Sequence, residues 1–410
     1  MASPDSVGVM NIGTSAEASW QLAVARCPKQ MLHGPCAGVG DDHGCEVPSV
    51  GSCSFLEALD AWPYPSPERT RTPLRDAVRH AVPAGLPASA DPAAAPVEQG
   101  RVPAAARAAE SFRAVAARRP MVVADLPAAP LSADALRASA DVLAPAADAC
   151  LLGDHGGARV QFPPSYRARL LTERGVAVWA GVTCRDRNRV ALEGEIAACV
   201  DAGVTAVHCV TGDHPALGHR ADASAVFDLD CIGVADLARG RGPLVSAAHA
   251  PAAPPRQHRL SRLLAKIDAG VEVVFVDHCG GPDQVGDAAA ELRDAGFGGL
   301  VLACVPVVTS ATTAAVVASF AAGRLPVGYL ERVLDAADPR EAGVRAGADL
   351  AERMLALPGI DGVNLSGGAE PGHELAAAHA AADISRRVLG ATRDVGTARD
   401  VGAVRLRVTR

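Results

Sequence analysis

From Pro120 onward the chain alternates eight times between a short apolar run and a longer stretch of helical periodicity. The runs are Met121 to Leu126, Ala149 to Leu152, Ala177 to Val182, Ala206 to Val210, Leu244 to Ala247, Val271 to Val276, Gly299 to Cys304 and Gly362 to Leu365. Short apolar runs bounded by glycine and proline read as buried strands, and segments such as 187–201 and 283–294 between them read as helices. Strands buried on both faces and joined through helices build a parallel sheet. Eight such units in one domain predict an α/β fold, a (β/α)8 TIM barrel. An open doubly wound sheet is the alternative, but no G-x-G-x-x-G follows the first run.

Composition narrows the partners. Aromatics make up 3% of the 410 residues, so the core has to come from Ala, Val, Leu and Ile. A net charge of -7, without a basic cluster interleaved with aromatics, argues against nucleic acid and leaves a small molecule as the expected partner. No apolar run is long enough to span a membrane, and the first residues lack the features of a signal peptide. A cytoplasmic location and a homo-oligomer are expected.

Four of the 11 cysteines, Cys27, Cys36, Cys45 and Cys53, are packed into one short glycine-rich segment. In a reducing compartment such clustering reads as metal ligation rather than as disulfides. All-thiolate ligation suits zinc or an iron–sulfur cluster, and the spacing matches neither common zinc ribbons nor bacterial ferredoxins. The expectation is a small N-terminal cysteine-rich metal-binding module with a [4Fe-4S] cluster, zinc being the alternative. The predicted organisation is a lead-in over 1–22, this module over 23–62, and a Pro/Ala-rich linker over 63–118 that ends in a helix. The barrel follows over 119–390 and a tail over 391–410.

In a barrel of this kind chemistry is delivered at the C-terminal strand ends. These carry Asp125, then Asp154 and His155, Thr183 to Asn188, Thr211-Gly212-Asp213-His214, His249, Asp277 and His278, and Ser366-Gly367-Gly368. A loop aspartate such as Asp213 also serves as a helix N-cap, and the charged run Arg185-Asp186-Arg187 also reads as a salt-bridged rim.

TCRDRN at 183–188, TGDHPALG at 211–218, VFDLD at 226–230 and KIDAG at 266–270 resemble the methylenetetrahydrofolate reductase family. The cysteine segment resembles the cysteine-rich domain that accompanies many such reductases. The resemblance implies a cytoplasmic flavoprotein oxidoreductase of one-carbon metabolism, holding FAD or FMN and acting on a tetrahydrofolate derivative. Electrons would enter through the iron–sulfur module or a redox partner protein. It implies flavin contacts for Thr183, Thr211, Gly212, Asp213, His214, Phe227, Asp228, His249 and Lys266. The family's general acid, a glutamate, falls at Ala124 here, which makes Asp125 the candidate replacement, with Asp213, Asp277 and His278 as further catalytic candidates. Two other readings stand beside this one. One is a repurposed flavoenzyme that uses another acceptor or transfers the one-carbon unit in specialised metabolism; the other is a non-catalytic binding or electron-transfer subunit.

Overall fold

The structure, a computed structural model, describes residues 15–61, 103–127, 131–153, 160–319 and 323–395. The expected Asp154 and His155, and most of the linker and tail, lie outside these residues.

The eight predicted runs are strands of one closed, all-parallel barrel in sequence order, β8 pairing back onto β1. They are β1 (Met121–Asp125), β2 (Ala149–Leu152), β3 (Val178–Thr183), β4 (Ala206–Val210), β5 (Leu244–His249), β6 (Val273–Val276), β7 (Leu300–Pro306) and β8 (Gly362–Ser366). Helices follow each strand and cover the sheet, among them Arg189–Ala202 after β3 and Arg259–Asp268 after β5. The (β/α)8 expectation is therefore met.

Strand alternation sorts the residues into two cores. Val122 and Ala124 of β1 pack outward against the helices, with Val207, Val274 and Val363 of other strands. Met121 and Val123 point inward, with Trp179, Phe275, Leu302 and Cys304. Since successive side chains face opposite sides, Asp125 continues the inward column, and Ala124 points away from the barrel mouth.

The N-terminal end of the barrel is closed by the helix Ala104–Ala116. Its Phe112 meets Trp179 at a tilt at 5.2 Å, and Trp179 meets Phe275 edge-on at 5.2 Å. His208 belongs to this interior, bonded to Ser246 at 2.9 Å. Burial lowers its pKa to about 4, so it is a neutral core histidine.

The N-terminal segment has a small core of its own. The helix Ser15–Arg26 packs on residues 56–61 through Trp20, Ala23, Val24, Met31 and Phe55. Trp20 and Phe55 meet edge-on at 4.9 Å.

Candidate active site at the barrel mouth

The N-terminal segment is fastened across the C-terminal ends of β4 to β6. Arg259 donates to the carbonyls of Pro35 at 3.1 Å and Cys36 at 3.0 Å, and Arg262 donates to that of His33 at 2.5 Å. His33 Nδ1 lies 2.8 Å from Asp230. The buried pair Lys29–Glu46, at 2.5 Å, reaches the β4 loop, where Glu46 accepts the His214 N–H at 3.1 Å. Asp41 bridges Arg256 and Arg324 on the outer side.

Between this segment and the barrel lies a cavity of about 270 Å³. Thr211, Gly212, Asp213, His249, Lys266 and Asp277 line it, so it brings together six residues singled out in the sequence. It also exposes Lys29, Glu46, Arg259 and Arg262, which the sequence reading missed. Lys29 is one of two lysines in the chain, a hint of special placement, but its position across the β4 loop has no local signal. A more open depression of about 450 Å³ continues past His249 and Arg259 towards Arg324.

Beside Asp277 sits a second group of polar residues, all from inward-facing strand ends. Asn364 of β8 donates its Nδ2 to Asp125 at 3.1 Å, and the Gly367 N–H donates to the other carboxylate oxygen at 3.3 Å. Burial pushes the Asp125 carboxyl up to about 7, and the nearby Asp277 adds to the shift against the two hydrogen bonds. The side chain nevertheless keeps some exposure at the mouth. His278 Nε2 is bonded to Ser366 Oγ at 2.6 Å, and its backbone N–H donates to Asp277 Oδ1 at 2.8 Å. Burial lowers the pKa of His278, leaving a neutral ring. Asn364 is findable in the sequence only once the strand parity of β8 is known.

The other expected site residues are held by the protein itself. Thr183 Oγ1 accepts from Arg187 at 3.3 Å, and Thr211 Oγ1 accepts the Cys231 N–H at 3.2 Å. Gly212 has φ +87, and a Cβ there would lie 3.0 Å from that of Thr183, so only glycine suits this turn. His214 accepts the Ala216 N–H at 3.1 Å and stacks on the buried Phe227, while Asp213 is exposed on the rim. Asp228 is bound by the N–H and guanidinium of Arg189 at 2.9 to 3.1 Å, fixing the start of the helix after β3. Lys266 donates to the Ala248 carbonyl at 2.5 Å. His249 is buried and its Nε2 has no hydrogen-bond partner.

Cys27, Cys36, Cys45 and Cys53 surround a pocket of about 20 Å³ beside Phe55. All are free thiols, and burial pushes Cys27 up to about 11 and Cys53 up to about 12. Among the described residues no group of three or more His, Cys, Asp or Glu is placed to hold a metal ion. The expected [4Fe-4S] cluster, and the zinc alternative, are corrected accordingly: Cys27, Cys36 and Cys53 pack with the apolar core around Trp20 and Phe55.

No family model matches the chain, and no curated protein matches it. Among solved structures it is similar to a 2,3-dimethylmalate lyase, described as a PEP mutase/isocitrate lyase superfamily member. That match has 14% identity and a TM-score of 0.40 over 72% of this chain and 87% of the other. It is also similar to an oxaloacetate acetylhydrolase, at 11% identity and a TM-score of 0.40 over 63% and 80%. Likeness of this size carries no argument about chemistry.

The methylenetetrahydrofolate reductase expectation is corrected: no family model, that of these reductases included, matches the chain. Within the molecule, Thr183, Thr211, His214 and Asp228, which the resemblance made flavin contacts, are bonded to protein groups, and the expectation of FAD or FMN falls with that of the family. The roles that depended on flavin and folate, as oxidoreductase, as repurposed flavoenzyme and as electron-transfer subunit, fall with them. The motifs that carried the resemblance instead mark loops between strands and helices, KIDAG at the end of the helix that leads into β6. Among the described residues no helix is long and apolar enough to cross a membrane.

Proposed function

We propose that the chain is a non-redox enzyme that performs general acid–base catalysis on a small oxygen-bearing metabolite at the barrel mouth. One observation carries this reading: the inward-facing Asp125, oriented by Asn364 and Gly367, lies near enough to feel the charge of Asp277, which lines the cavity of about 270 Å³. A carboxyl held near 7 is present in both protonation states at neutral pH, which is what a proton-transferring group requires. Neutral His278, fixed by Ser366, supplies a polar neighbour that adds no charge.

In the step this arrangement supports, ionised Asp125 takes a proton from a carbon next to a carbonyl. The electron pair moves onto the carbonyl oxygen, and protonated Asp125 later returns a proton to carbon. The balance closes without an electron acceptor.

The test is proton exchange in deuterated water with a panel of small keto and hydroxy acids, followed by NMR. Wild-type protein should label at least one panel member, and Asp125→Asn should label none at a measurable rate. Equal labelling by the variant, or no labelling of any member by the wild type, would remove the proposal.

A further inference from the structure

Buried positive charge collects on one wall of the mouth cavity. Arg259, Arg262 and Lys266 all lie on the helix Arg259–Asp268, and all three face the cavity. Arg259 and Arg262 are each 5% exposed. Arg259 donates to carbonyl oxygens, those of Ala253, Pro254, Pro35 and Cys36. Lys266 likewise meets a carbonyl, that of Ala248. Asp230 lies near Arg262, but it also pairs with His33. Asp230 is the carboxylate whose charge reaches both Arg262 and Lys266, while Asp213 and Asp277 line other parts of the cavity. On the opposite side of the cavity, Lys29 is matched by Glu46.

The excess is legible in the groups themselves. Burial, then the like charge of Arg262, lowers Arg259 from its usual value to about 10. Lys266 is lowered too, by burial first and by both arginines against the pull of Cys231 and Asp230. Buried charge of one sign is unfavourable unless a counter-charge enters.

His249 provides a second, independent indication of a ligand. It is 3% exposed, it lines the same cavity, and its Nε2 has no partner. Buried polar atoms are nearly always hydrogen-bonded, so an orphaned one in a residue that lines a cavity points to a ligand atom as its missing partner.

We infer that this wall is a subsite for a compact oxyanion, a carboxylate or a phosphate, received by Lys266, the adjoining arginines and His249 Nε2. The inference rests on the acid–base reading and specifies its substrate: one end of the molecule is anionic and lies against the helix after β5, and the reacting carbon points towards Asp277 and Asp125. An N–H of the imidazole donating to an oxyanion forms a charge-assisted bond, stronger than a neutral one. The cationic wall also draws anions inward through its field.

The experiment measures binding without turnover, so it stands apart from the exchange assay. The full chain is titrated with inorganic phosphate and, separately, with malonate, and the His249 imidazole is followed by NMR. Saturable binding of either anion is expected, with the ring moving towards its protonated form as the anion fills the site. Phosphate alone identifies a phosphoryl headgroup, and malonate alone a carboxylate. Lys266→Met or His249→Phe should weaken binding at least tenfold; if Lys266→Met fails to fold, His249→Phe decides. Absence of saturable binding of both anions, or unchanged affinity in every folded variant, overturns the subsite. Binding without exchange in the deuterium assay removes only the catalytic reading.

Discussion

Asn364 Nδ2 reaches across the β8–β1 seam to Asp125 at 3.1 Å, so the last strand of the barrel orients the carboxylate that ends the first. The register that pairs Ala124 with Leu365 sets these inward neighbours side by side. Asn364 therefore acts as a positioning residue, and its hydrogen bond stabilises the ionised form of Asp125. Asn364→Leu should lower kcat by about 10- to 100-fold, within the usual worth of positioned acid–base catalysis. It should also move the rising limb of the pH–rate profile to higher pH, because the carboxyl loses a donor. A fall in rate with an unmoved limb would leave Asn364 a purely structural role.

Asp125 also imposes a pH dependence on stability. Its folded value, about 7, lies above the ordinary aspartate value of 3.8, so between these limits the folded state binds more protons than the unfolded state. Stability then falls as pH rises through this window, at no more than about 1.4 kcal/mol per pH unit and less where water reaches the mouth. Asp125→Asn should flatten this slope and raise Tm relative to wild type at pH 8 while leaving it nearly unchanged at pH 4. Thermal melts across the range check both ends.

The Lys29–Glu46 pair joins the N-terminal segment to the β4 loop with both side chains almost fully buried. Glu46→Gln leaves the lysine charge without its counter-charge and should cost about 3–5 kcal/mol. Replacing both, as Lys29→Met with Glu46→Met, should recover most of the loss, since a well-packed apolar pair commonly equals a buried ion pair. Denaturant melts of the two variants, together with proteolysis of the 27–53 segment, distinguish the cases.

Asp230 is the other electrostatic tie. It holds His33 and accepts the N–H groups of Ile232 at 3.0 Å and Gly233 at 3.3 Å, capping the helix Cys231–Ala238. Burial opposes its charge, yet His33, Arg262 and the capping N–H of Gly233 hold its carboxyl well below the usual range. A depressed carboxylate contributes its full stability above the unfolded value near 4 and loses it as pH falls towards the folded one. Asp230→Asn should therefore lower Tm at pH 7, and the gap to wild type should narrow steadily below pH 4. A gap independent of pH would mean that only the cap matters, worth about 1 kcal/mol.

The strand ends show how far local sequence reaches. Asp125, Asp213, His249 and Asp277 could be placed at the mouth from the position of each apolar run alone. The motifs around Thr183, Thr211 and Asp228 misled because turn-forming sequences look alike whether they hold a ligand or a neighbouring helix. Asp228 is matched by Arg189, 39 residues away, and Thr211 by the backbone of Cys231, 20 residues away. The cysteine segment misled for a related reason: clustering in sequence brings the four thiols around one small pocket but does not fix the spacing that a metal ion needs.

Sequence alone determined the barrel, because the period of apolar burial is a local property that each strand and helix records for itself. It also determined which residues end the strands. Tertiary structure alone decided what those residues are for. Only strand parity turns Asp125 inward and Ala124 outward, only closure of the barrel brings Asn364 to Asp125, and only the docking of residues 27–53 sets Lys29 and Glu46 across the cavity from Arg259, Arg262 and Lys266. The energies behind these arrangements, desolvation and the interaction of charges, depend on distances through space that separation along the chain does not encode.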